Sequence, residues 1–262
     1  MTKNIMEFLI STFTIFTALM SSGGFIIDSA FTNAIKQNSE SVEEIEVRVE
    51  NVPTHNIVKG EVDSIKLAVR GWGLRENFRL DVLELETDPL KFDFSRIREI
   101  NRETWREIIQ SDINVGIRTV MTEDDLNAIV RSPRALEIIS SSIPPSSPEG
   151  FELEDVSLDL RPNQRIRLNT IARSQTPGVR VDFSIEFGIE LIGGQRLKIV
   201  EPQGTFNGRP ISQELLQGFT QNLNMRLDLN ALQRFGVIAR LLQLDIADEN
   251  IGMSALIHVP NR

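Results

Sequence analysis

The sequence predicts an α+β fold whose main body is a large, curved antiparallel sheet with one apolar face. Three observations carry that prediction. Several stretches alternate apolar and polar residues with period two, the mark of a strand wet on one side. One of them, "VDFSIEFGIEL" (181–191), alternates without error. At about 3.4 Å per residue it reaches about 37 Å, where ordinary strands hold about five or six residues. Glycine-bearing turns at Gly193-Gly194 and Asn207-Gly208 then join neighbouring strands as hairpins.

The chain opens with an uncharged run from Phe8 to Ile27, in which twelve of twenty residues are apolar. That length can span a bilayer. Its densest part, Phe8–Met20, has the length of a signal-peptide core, although the preceding residues carry little positive charge and no clean small-x-small cleavage site follows. Residues 1–22 are therefore read as a signal peptide or an uncleaved signal anchor, against the alternative of a buried or interfacial helix. Either export reading places residues 23–262, taken as a single domain, in the cell envelope or periplasm. After Gly24, Phe25, Ile27, Ala30, Phe31, Ala34 and Ile35 recur at helical spacing, which predicts an amphipathic helix ending near Asn38.

Strands follow. "EEIEVRVENV" sets Ile45, Val47 and Val49 against Glu44, Glu46, Arg48 and Glu50. "DSIKLAVRG" repeats the pattern with Ile65, Leu67 and Val69. "FRLDVLELETD" begins with Phe78, Leu80 and Val82 inward and shifts to Leu83 and Leu85, a phase change expected of a bulge or sharp bend. "INVGIRTV" is a further strand, and "ARLLQLDIADENIGMSALIHV" reads as two strands joined at Asp248–Asn250. Helices are expected over 95–110, over Glu123–Ser140 in two pieces divided at Ser132-Pro133, over 211–224 with Ser212 as cap, and over 228–236 with Gly236 at its end. "SSSIPPSS" is read as a surface loop near 141–150.

Composition narrows the chemistry. A formal net charge of −9 disfavours nucleic-acid binding and polybasic docking to anionic lipid. With no Cys there is no disulfide, thiolate nucleophile or thiolate metal ligand, and the two histidines, His55 and His258, lack metal-ligand spacing. No cofactor motif is present. The acid cluster Glu123-Asp124-Asp125 invites a catalytic reading. Yet Thr122 stands at an N-cap, Asp125 three residues on at the capping-box position, and Glu123 and Asp124 in the first turn, where the helix dipole favours acids. The cluster is read as a helix start, with Leu126, Ile129 and Val130 as the buried stripe. Trp72 is read as packed, with a membrane interface as the alternative. His258 is expected to be solvated.

Several segments, in order and spacing, resemble one bacterial family. They are "VRVENVP" (47–53), "KGEVDSIKLAVRG" (59–71), "LELETDPLKFD" (83–93), "VMTEDDLNAIVRSP" (120–133), "GIELIGGQRLKIVEPQGTFNGRPI" (188–211) and "RLDLNALQRFGVIARLLQLDI" (226–246). Together, over about Val42 to Val259, they resemble the LmeA-like phospholipid-binding family in its cyanobacterial branch. The resemblance implies an exported or membrane-tethered, non-catalytic protein whose long curved antiparallel sheet wraps around helices, similar to tubular lipid-binding domains. Its partners would be phospholipid and a membrane.

The residues offer a matching mechanism. An amphipathic helix laid on an apolar sheet face makes a trough for acyl chains, each buried CH₂ contributing about 0.8 kcal/mol. The candidate walls are Phe25, Ile27, Phe31 and Ile35 on the helix, and Val181, Phe183, Ile185, Phe187 and Ile189 on the long strand. The competing function is a membrane-anchored scaffold that recruits a protein through its sheet or helix face.

Overall fold

The computed structural model describes residues 35–36, 39–51, 59–75, 77–93, 95–96, 104–142, 151–174, 180–224 and 227–261. In chain order the strands begin with β1 (Glu44–Glu50), β2 (Glu61–Val62), β3 (Ser64–Arg75), β4 (Phe78–Thr87) and β5 (Leu90–Lys91). A short helix α1 (Trp105–Ile108) precedes β6 (Ile113–Thr122). Helices α2 (Glu123–Val130) and α3 (Pro133–Ser142) come next, then β7 (Phe151–Arg161), β8 (Arg165–Ser174), β9 (Arg180–Ile192), β10 (Arg196–Phe206) and β11 (Arg209–Pro210). Helix α4 (Gln213–Asn224), a 3-10 helix (Leu229–Phe235), β12 (Ile238–Ile246) and β13 (Asn250–Val259) complete the described chain.

Where one long sheet is expected, the described strands form two main ones: a six-stranded sheet in the order β1-β3-β4-β6-β13-β12 and a five-stranded sheet in the order β11-β10-β9-β8-β7. A two-stranded piece pairs β2 with β5. The pairs β1–β3, β3–β4, β4–β6, β2–β5, β7–β8, β8–β9, β9–β10 and β10–β11 are all antiparallel. The chain divides into two compact units. One holds Met1–Val120, Leu229–Leu242 and Met253–Arg262; the other holds Met121–Asp228 and Gln243–Gly252.

In the first unit, alternation separates two faces cleanly. Ile65, Leu67, Val69 and Leu83 are buried on one side. On the other, Lys66 bridges Glu50 at 3.1 Å and Glu86 at 3.3 Å, and Glu84 bridges Arg70 and Arg118, each at 3.0 Å. These ladders follow from the register, which sets Arg70 beside Val82, Ala68 beside Glu84 and Glu84 beside Arg118. Opposite charges on neighbouring strands contribute a few tenths of a kcal/mol each.

The predicted phase change in β4 is real, and its cause lies on the neighbouring strand. Leu83 and Leu80 are both buried although three residues apart. Across from them Gly71 adopts a φ of +59°, which turns Trp72 onto the core side in step with Leu80. An added Cβ at Gly71 would also collide with the Glu43 side chain. The pairing itself slips later, between Gly73 and Arg75. Trp72 is fully buried, and its indole N–H donates to the Ser39 hydroxyl, so it packs in the core and not at a membrane interface. His258 is half-buried and hydrogen-bonds the Asn114 side-chain oxygen at 2.7 Å, more enclosed than expected.

Other expectations need adjustment. Residues 151–174, not foreseen as strands, form the β7–β8 hairpin. Residues 229–235 wind as a 3-10 helix, and Gly236 terminates it at a φ of +73°. Helix α3 runs to Ser142, two residues into the expected loop; residues 143–150 lie outside the described chain. Of the helix expected over 95–110, Trp105–Ile108 is helical, Ser95 and Arg96 are in 3-10 conformation, and 97–103 are outside the described residues. Among the described residues no helix is long and apolar enough to cross a membrane. The amino-terminal segment read as a signal or anchor is also outside the described residues.

Candidate functional site

The candidate site is the apolar face of the five-stranded sheet in the second unit. It is built outward from β9. Alternation puts Val181, Phe183, Ile185, Phe187 and Ile189 on one face. Val181, Ile185 and Phe187 are buried, whereas Phe183 and Ile189 are half-buried. On β8, Ala172, Thr170, Leu168 and Ile166 stand opposite Val181, Phe183, Ile185 and Phe187. On β10, Phe206, Gly204 and Ile199 stand opposite Phe183, Ile185 and Ile189. Val156, Leu158 and Leu160 of β7 extend the same rows outward.

Of the other expected wall residues, Ile35 is fully buried in the first unit. Phe25, Ile27 and Phe31 lie outside the described residues.

Two helices are fixed against this sheet by specific devices. Gly204 leaves room for α4: a Cβ there would come within 3.1 Å of Leu216 and Ile211 side-chain carbons. Leu216 is accordingly buried. The Asn224 side chain, at the end of α4, accepts from the Ile199 N–H at 2.8 Å.

Helix α2 is held differently. Strand β7 is an edge strand, and an edge presents unpaired backbone groups that must be covered or wetted. Asn127 covers Leu158 as a strand would: its amide donates to Leu158 O at 2.8 Å and accepts from Leu158 N at 2.9 Å. The Glu123 carboxylate accepts from Leu160 N at 2.7 Å, and Arg131 Nε donates to Val156 O at 3.0 Å.

The acid cluster is thereby accounted for by geometry. Thr122 is the N-cap, Asp125 completes the capping box and is buried, and Glu123 binds the edge of β7; Asp124 is exposed. Leu126, Ile129 and Val130 are half-buried, not fully enclosed as expected. Among the described residues no group of three or more acids or histidines is placed to hold a metal ion.

The opposite face of the same strands is ionic. Glu186 lies between Arg165 and Arg167, each at 2.7 Å. Those guanidiniums, Arg167 first, hold its carboxyl below the ordinary value, against a smaller opposing effect of burial. Beside them Ser184 donates to Asn169, which donates to Asp159. The sheet therefore has a polar side and an apolar side, and it is the apolar side that can meet hydrocarbon.

A separate groove of about 500 Å³ lies on the ion-paired face of the six-stranded sheet. Its lining includes Arg48, Lys66, Glu84 and Arg118, with Leu242 and Leu256 along one side. The cations there are already engaged by neighbouring carboxylates.

Sequence reasoning missed three contributors: Thr170, Phe206 and Asn127. Phe206 had a signal, since it precedes the Asn207-Gly208 turn in register with the apolar row. Asn127 had none, because its partner is backbone thirty-one residues away.

Sheet and helices together define a module with one continuous apolar face and no assembled catalytic group among the described residues. The model of the LmeA-like phospholipid-binding family matches residues 23–253, and the chain belongs to that family. It is a family of phospholipid-binding domains, not a known enzyme family. No curated protein and no solved structure matches the chain.

Proposed function

We propose that this protein is a non-catalytic phospholipid carrier of the cell envelope. Acyl chains lie against the apolar face of β9, on Val181, Phe183, Ile185, Phe187 and Ile189. Residues 1–22 serve as the export signal or anchor, and the carrier either holds lipid or passes it between membranes. Family membership supports the ligand class. The observation that carries the reading is the pair Phe183–Phe206: the apolar face does not end in the core but continues across β9 and β10 to a phenylalanine that is 37% exposed.

Native mass spectrometry of the chain, purified in mild detergent and then delipidated, tests this. Bound phospholipid, and rebinding near one lipid per chain, is the expected result. A lipid-free mass in both states, with no uptake, overturns it. Substituting Phe31 in the same assay asks whether the amino-terminal stripe contributes to the wall.

The competing reading, a scaffold for a protein partner, has one observation in its favour. Strand β12 is an edge strand carrying exposed Ile238 and Leu242. Its expected signature is a stable stoichiometric protein complex in the absence of lipid.

A further inference from the structure

The second unit has two large apolar side chains exposed among its described residues, Phe206 at 37% and Leu215 at 47%. Both belong to one short stretch. From Thr205 to Leu215 every residue is exposed except half-buried Ile211. Strand β11 pairs there with Thr205 and Phe206, and a Cβ added at Gly208 would meet nothing within 4 Å. This tip is nonetheless held in one shape. The Asn207 N–H donates to Asp182 O at 2.8 Å, and the Asp182 N–H donates to the Asn207 side-chain oxygen at 2.9 Å. The Ile211 N–H donates to Gly204 O at 2.9 Å. A surface already ordered loses little conformational freedom on binding.

The charge of the tip is equally selective. In a chain of net charge −9, Arg209 is the one charged residue from Gln203 to Gln213. No carboxylate among the described residues pairs with it. The next acid, Glu214, has its carboxylate engaged by the Ser212 hydroxyl and by its own backbone N–H. Asp182, beside Asn207, stands on the face of β9 opposite to Phe183.

An exposed aromatic, an exposed aliphatic and an uncommitted guanidinium match the two layers of a phospholipid surface, hydrocarbon below and phosphate above. Phe206 is also the outermost member of the row Val156, Thr170, Phe183 and Phe206, so the tip is where the buried face reaches the surface. The remaining exposed aliphatics fit a bilayer less well. Leu242 and Leu256, in the first unit, share their groove with Glu46, Glu84 and Glu86, which anionic lipid repels and which are costly to dehydrate.

We propose that the tip between β10 and α4 is a membrane-docking element. Phe206 and Leu215 enter the acyl layer of a bilayer, and Arg209 takes a lipid phosphate. The proposal rests on the lipid-binding reading above and assigns the surface through which the bilayer is met.

The chain has no cysteine, so a single introduced thiol can be labelled alone. Full-length Leu215→Cys and Leu242→Cys each receive an environment-sensitive NBD fluorophore. They are mixed with vesicles of equal parts phosphatidylcholine and phosphatidylglycerol, with or without doxyl-labelled acyl chains. The label at 215 should shift to the blue and be quenched by the doxyl groups, and the label at 242 should do neither. Adding Phe206→Asp should abolish the quenching at 215, because a carboxylate does not enter hydrocarbon. Adding Arg209→Gln should raise the vesicle concentration for half-quenching about five-fold. Thermal melting confirms that each variant is folded. Equal quenching at the two positions, quenching at 242 alone, or none at either overturns the proposal. So does quenching at 215 that survives both added substitutions. Native mass spectrometry of the chain recovered from the vesicles separates the two readings. Lipid bound without quenching at 215 overturns the docking element and leaves lipid binding intact, whereas quenching at 215 with no lipid retained upholds the docking element and overturns carriage.

Discussion

Thr122 and Asp125 bond each other reciprocally: the Asp125 N–H donates to the Thr122 hydroxyl at 3.2 Å, and the Thr122 N–H donates to the Asp125 carboxylate at 3.1 Å. Two of the backbone donors at the start of α2 are satisfied this way. Asp125→Ala should therefore cost about 1 kcal/mol of unfolding free energy, and Thr122→Ala a similar amount. Asp124→Asn, at an exposed position, should stay within about 0.5 kcal/mol. Urea denaturation reads all three. Lipid occupancy should be unchanged in each. A loss of function in Asp124→Asn with stability intact would return the acid cluster to consideration as a reactive site.

Asn127 closes two backbone groups of an edge strand with one side chain. Asn127→Leu should cost about 1–2 kcal/mol, because both Leu158 groups lose their partner. The effect should be local first. Amide exchange at Leu158 should accelerate before that of Ile185, which lies two strands further in. Equal acceleration at both positions would mean that α2 is not what guards the edge.

Glu186 makes stability depend on pH in a known direction. Its folded pKa is lowered by Arg167 and Arg165, so the unfolded chain takes up its proton at a higher pH than the folded one. The stabilisation is complete at neutral pH. It is lost as the pH falls below the ordinary 4.5 and through the lowered value. Glu186→Gln should therefore be less stable than the wild type at pH 7, by about 1 kcal/mol of unfolding free energy, with the gap closing in acid. A gap that is constant with pH would assign the effect to shape and not to charge.

Phe206 separates packing from ligand contact. At 37% exposure its truncation to alanine should change stability by no more than about 1 kcal/mol. Lipid affinity should weaken roughly five-fold, since a row that leads hydrocarbon to the buried face loses its outermost ring. Ile185→Ala makes the contrast: at a fully buried position it should cost about 2–4 kcal/mol whether or not lipid is present. Equal lipid affinity in wild type and Phe206→Ala would remove this edge as the route of entry.

The long strand, both glycine turns, the split at Ser132-Pro133 and the capping box were legible because each is a local rule. Strand β9 alternates without interruption, and Asn207 and Gly208 take φ of +48° and +74°, the left-handed pair that a two-residue hairpin requires. The β7–β8 hairpin was hidden by two local irregularities. A register shift between Leu153 and Asp155 puts Leu153 and Val156 out of phase. Thr170 then interrupts the apolar row of β8 with a polar residue. The division into two sheets was not legible at all. It depends on which distant strands pair, and alternation does not encode that choice.

The strand order of the six-stranded sheet has a consequence for biosynthesis. One side of β6 (Ile113–Thr122) is bordered by β4, which is made before it, and the other by β13 (Asn250–Val259), made long after. While the ribosome adds the intervening helices and the whole five-stranded sheet, that flank of β6 has no strand to pair with. The second sheet has its strands in sequence order and can assemble as it emerges. Nascent chains released before Asn250 should carry an open, adhesive strand, and their retention by a holding chaperone should end when β13 is added.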